Sequence, residues 1–104
     1  MNKTVLIRFV PPAPVKIALG KGLTHTREWN GDKLVATLQE GLDIWAAEYD
    51  PELVVRVILA RQAEIRFEGT WKPDKETASA LRQRIGETMS YVLEGIEAEE
   101  YLSD

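Results

Sequence analysis

Asp50-Pro51-Glu52-Leu53-Val54-Val55-Arg56-Val57-Ile58-Leu59 is the stretch on which the fold turns. Asp followed by Pro is a common helix start, because the carboxylate caps the first turn and proline fits its first position. The residues that follow argue the other way: Val54, Val55, Val57 and Ile58 are all β-branched, and such side chains suit a pleated surface better than a helix. Their density predicts a strand over 53–59, with a short helix over 51–60 as the alternative.

If 53–59 is a strand, Ala63 to Trp71 reads as its hairpin partner, with Ile65, Phe67 and Trp71 on one face and Arg66, Glu68 and Thr70 on the other. Lys72-Pro73 ends it. Nearer the N-terminus, Thr4 to Val10 alternates in the same way, Val5, Ile7 and Phe9 sharing a face, and stops at Pro11-Pro12. Pro11-Pro12-Ala13-Pro14 reads as a stiff connector rather than as a polyproline ligand. Val15, Ile17 and Leu19 alternate with Lys16 and Ala18, Gly20-Lys21-Gly22 offers a tight turn, and Leu23 to Trp29 completes a hairpin.

Asn30-Gly31 is itself a hairpin signal. Asp32, however, is a good helix cap, and Leu34, Leu38, Leu42, Trp45 and Tyr49 recur at helical spacing, which predicts a helix over 33–49. From Asp74 a second helix follows, with Ala78, Leu81, Ile85, Met89, Val92 and Ile96 along one side. Acids near its end oppose the helix dipole, so residues 98–104 are expected to fray.

These elements predict one α+β domain over 1–104, an antiparallel sheet of about five strands in the order β-β-β-α-β-β-α, with two amphipathic helices packed on one face. Trp29-Asn30-Gly31-Asp32-Lys33 and Trp71-Lys72-Pro73-Asp74-Lys75 resemble one another. The chain thus reads as a hairpin–helix unit used twice, although coincidence accounts for the identities equally well. Each Trp is expected to cover the junction between sheet and helix.

The apolar fraction of 44% and charged fraction of 29% are those of a folded soluble chain. With no cysteine, disulfides, thiolate metal sites and cysteine nucleophiles are excluded. Arg8 and Pro11-Pro12 interrupt the first apolar run before it reaches the length of a secretory leader, and no stretch has the length of a membrane span, so a soluble cytoplasmic protein is expected. The net charge is -4, but its distribution is uneven: residues 1–27 hold Lys3, Arg8, Lys16, Lys21 and Arg27 and no acid. Basic strands set beside acidic helices explain this without a ligand.

No reactive constellation emerges. His25 is the only histidine and has no cysteine or histidine companion at metal-ligand spacing. Glu94, Glu97, Glu99 and Glu100 lack the pattern of a calcium loop, and Gly20-Lys21-Gly22 lies in a hairpin and not ahead of a helix. Neither cofactor nor metal is expected.

The strand phases place Leu6, Val10, Ala18, Val54 and Ile58 away from the helices, where apolar residues call for a second layer, a buried central strand or a partner. The favoured reading is therefore a noncatalytic binding or accessory protein acting by protein contact, a homodimer or bound to another protein. Its interface would use Leu6, Val54 and Ile58 as apolar centre and Arg8 and Arg56 at the rim. A second reading is an anion or single-stranded nucleic-acid binder with Lys16, Lys21 and Arg27 as contacts. A third is a small-ligand binder or enzyme with a pocket between sheet and helices and His25 and Arg27 at its mouth.

Overall fold

The computed structural model describes residues 3–103, so Met1, Asn2 and Asp104 lie outside the described residues. Its elements run β1 (Lys3–Phe9), β2 (Val15–Gly20), β3 (Leu23–Arg27), α1 (Gly31–Tyr49), β4 (Leu53–Leu59), β5 (Glu64–Gly69), α2 (Lys75–Glu94) and α3 (Ala98–Tyr101). The β-branched run is a strand, and the helical alternative for 51–60 falls. The chain is a mixed α+β structure with the expected order of elements, to which α3 is added.

The expected single antiparallel sheet is not what forms. The main sheet has three strands in the order β4-β1-β5, while β2 and β3 pair only with each other. β1 is central, parallel to β4 and antiparallel to β5, so Lys3 lies opposite Leu53 on one side and Gly69 on the other. β4 and β5 are therefore not a hairpin. Residues 60–63 step over β1, and an extended stretch of that length reaches ~13 Å against the ~10 Å separating a strand from its second neighbour.

Parallel strands need a crossover. Here α1 supplies it, and the hairpin β2–β3 is inserted between β1 and α1. The reading of a duplicated hairpin–helix unit is corrected by this topology: the first pair is self-paired, with Ile17 opposite His25, and the second pair is split by β1.

The core follows from alternation. Val5, Ile7 and Phe9 of β1 and Leu53, Val55 and Val57 of β4 are buried in one cluster with Leu34, Leu38, Leu42 and Ala46 of α1 and Ile85 of α2. At Gly41 a Cβ would stand 2.6 Å from Val92 Cγ2, so only glycine lets α1 approach α2 this closely. Trp71 packs on the cluster, edge-on to Phe67, and its Nε1 points to the Thr4 carbonyl.

The open edge of β4 is covered by a side chain. Gln39 Nε2 donates to the Val55 carbonyl at 2.7 Å and Gln39 Oε1 accepts from the Val57 N–H at 2.8 Å, so one amide on α1 bonds the edge as a further strand would.

The start of α1 lies earlier than the sequence suggested. Asn30, not Asp32, is the cap, its Oδ1 accepting from the Lys33 N–H at 3.1 Å. Asn and Asp cap about equally well, so composition alone does not choose between them.

Between Val10 and Lys33 no residue is buried. The radius of gyration is 16.4 Å, against about 13 Å for a compact domain of this length, and the extents are 59 × 22 × 19 Å. The β2–β3 hairpin accounts for the excess. It is an arm that leaves the core at the proline connector.

Candidate functional site

The arm is held at its base by the C-terminal segment. The Asn30 N–H donates to the Tyr101 carbonyl at 2.7 Å, the Ser103 N–H to the Glu28 carbonyl at 2.8 Å, and Trp29 makes a bridge with Leu102. Trp29 Nε1 donates to the Ala13 carbonyl at 3.1 Å and so ties the arm's two roots together.

Arg27 Nη1 donates to both oxygens of Glu99, at 2.7 and 2.9 Å, and Arg27 Nε donates to the Ser103 carbonyl. The Arg27 hydrogen bond, helped by its charge, holds the Glu99 carboxyl below its ordinary value. Lys33 Nζ donates to the Glu100 carbonyl and lies 4.9 Å from the centre of the Tyr101 ring. Residues 98–103, expected to fray, are thus bonded to 27–33: the base that meets the acid Glu99 is Arg27, from a distant position in the chain and not from α2.

Beyond its base the arm is two-faced. Val15 opposite Arg27 and Ile17 opposite His25 share one face with Leu23, whereas Lys16, Ala18, Thr24 and Thr26 share the other. The register shifts between Ala18 and Gly20, which puts Leu19 at the irregularity beside the tip. Gly20, Lys21 and Gly22 all have positive φ, the left-handed geometry that a tight turn demands. Leu19 and Leu23 at this tip are each 63% exposed.

The outer face of the main sheet gathers the five residues predicted for an interface. Leu6 lies opposite Arg56, Thr4 opposite Val54, and Arg8 opposite Ile58. Val54 is 51% exposed, whereas Leu6 and Ile58 are half-buried. Glu64, Arg66 and Glu68 of β5 complete this face, Arg8 Nε lying 3.9 Å from a Glu64 oxygen without a hydrogen bond. The face is a mosaic of arginine and apolar groups rather than a continuous apolar patch.

Of the three cations predicted for anion contact, Arg27 is engaged as described, and its side chain is only 11% exposed. Lys16 and Lys21 lie exposed on the arm, away from it. Lys3, another base of the N-terminal segment, is bonded to Asp50 at 3.0 Å, and that bond raises its pKa. His25 stands on the exposed arm face and not at the mouth of a pocket between sheet and helices.

A cleft of about 540 Å³ lies elsewhere, between α1, the end of α2 and α3. Tyr91, Val92, Ile96 and Tyr101 form its apolar lining, and Glu94, Glu97 and Glu100 its acidic rim. Tyr91 is 79% exposed. The sequence carried one signal for it: Tyr91 is an aromatic residue off the apolar stripe of α2, next to an acidic run. Among the described residues no group of three or more His, Asp or Glu is placed to hold a metal, and no helix is long and apolar enough to cross a membrane.

Comparison of the chain with protein-family models, with curated proteins and with solved structures found no match.

Proposed function

We propose that this protein is a noncatalytic binding subunit that acts by protein contact and associates with itself. The observation that supports the reading is the arm. Leu19 and Leu23 are each 63% exposed at the end of a two-stranded hairpin in which no residue is buried. A two-stranded hairpin alone is of marginal stability in water, and exposed apolar clusters on a projecting element mark contact sites. A partner that covers the face of Ile17 and Leu23 removes both penalties together.

The test is the solution mass by light scattering over a range of protein concentration. A species heavier than the 11.8 kDa chain that dissociates on dilution supports the reading. A single 11.8 kDa species at every concentration removes self-association from it.

A second reading, binding of an anionic polymer, is favoured by one observation only: Lys16 and Lys21 are exposed on the arm and, among the described residues, have no ion-pair partner. Two lysines give a small electrostatic footprint. Retention on single-stranded nucleic acid that falls steeply with salt, and is lost in Lys16→Ala with Lys21→Ala, would support it.

A further inference from the structure

We infer that the arm of one copy docks into the cleft between α1, α2 and α3 of a second copy, a proposal that rests on the self-association reading and specifies its contact. The arm projects its tip, is apolar on one face through Ile17 and Leu23, and is basic at the turn through Lys21, with Lys16 on the opposite face. The cleft is concave, apolar inside through Tyr91 and Ile96, and acidic at the rim through Glu94, Glu97 and Glu100. Shape, polarity and charge correspond in the manner of two halves of one interface. Lys33, the base beside the cleft, is held by the Glu100 carbonyl and the Tyr101 ring and keeps its charge, so against Glu94, Glu97 and Glu100 the rim stays net acidic.

The tip does not serve its own cleft. Arg27 and Trp29 fix the base of the arm beside α3, and the 6 residues of β2 carry the tip ~20 Å from that base. The cleft it meets belongs to another molecule.

Two other surfaces compete for the arm, and charge and geometry separate them from the cleft. The outer face of the main sheet offers Leu6 and Val54, but there Arg8, Arg56 and Arg66 stand among only two acids, Glu64 and Glu68, so this face lacks the net negative charge that the cleft rim offers a basic arm. The arm's own strand edges could pair with those of another arm, yet such pairing leaves the Tyr91 cleft unused.

An arm-to-cleft contact joins two different surfaces, so variants that damage one surface each complement one another when mixed. The arm variant is Leu19→Ser with Leu23→Ser. The cleft variant is Tyr91→Ala with Glu97→Lys. All four positions are exposed, so both proteins retain the fold, which circular dichroism checks; Lys21→Glu, a single change at the turn, is the second arm variant.

The expected result is that wild type self-associates, that each variant alone associates about tenfold or more weakly, and that the mixture forms a one-to-one complex. Wild-type association with no complex in the mixture, or with a cleft variant that associates as well as wild type, overturns the arm-to-cleft contact while self-association stands; the latter outcome points to arm-to-arm pairing. A wild type that is monomeric throughout overturns both.

Discussion

β1 and β2 are written in nearly the same way and meet opposite fates. Val5, Ile7 and Phe9 alternate with Thr4, Leu6 and Arg8; Val15, Ile17 and Leu19 alternate with Lys16 and Ala18. The first set is buried in the main core, and not one residue of the second is. Alternation specifies a strand with an apolar face, and it says nothing about what lies opposite that face. β1 shares a buried cluster with residues of α1 and with Ile85 of α2, while β2, beyond Pro11-Pro12-Ala13-Pro14, contributes nothing to it.

The comparison is sharpest in stability. Ile7→Ala or Leu38→Ala removes a fully buried side chain and is expected to cost about 2–5 kcal/mol. Leu23→Ala on the arm is expected to cost less than about 0.5 kcal/mol. Urea unfolding at low protein concentration measures both, and equal losses would show that the arm is packed against its own chain.

A smaller effect is expected where the core meets the cleft. Gly41→Ala sets a Cβ against Val92, whose branched side chain has little freedom to move, so α1 and α2 must separate at a cost of about 1–3 kcal/mol. Val92 also lines the cleft. The variant should therefore weaken self-association as well as raise urea sensitivity, and a change in stability alone would detach the cleft from assembly.

The smallest effect concerns the root of the arm and depends on pH. Glu99 is held below its ordinary pKa in the folded chain by Arg27. A depressed carboxyl contributes stability that is present above its unfolded value and is lost as the pH falls through its folded value. Amides of residues 23–29 should consequently lose hydrogen-exchange protection in mild acid before those of 53–59. Glu99→Gln should flatten that dependence at the root. Asp50, lowered by its bond from the Glu52 N–H and by Lys3, gives the main sheet an acid sensitivity of the same sign, so the order of the two losses is the informative measurement.

Local chemistry was legible in the sequence, and nonlocal pairing was not. The β-branched run 53–59, the turn at Gly20-Lys21-Gly22 and the two apolar helical stripes each announce their element from residues near one another. Nothing local in Ala60-Arg61-Gln62-Ala63 tells a hairpin turn from a step across a third strand, so the parallel pairing of β1 with β4 went unread. The five residues predicted for an interface do share the outer sheet face. The cleft was missed because the chain turns between α2 and α3 and folds Tyr101 back against Thr37 of α1, which local pattern does not announce, and because the acids at 94–100 looked like a frayed end.

The central position of β1 also sets an order on folding. Lys3 must wait for Leu53 and Gly69 before either side of its strand is satisfied, whereas Ile17 and His25 are close neighbours in the chain. Contacts of short range form faster than those that close long loops. During synthesis the strands of the arm can therefore meet while β1 still lacks both neighbours, but the base of the arm is fastened only once Glu99 to Ser103, the last part of the domain, are in place.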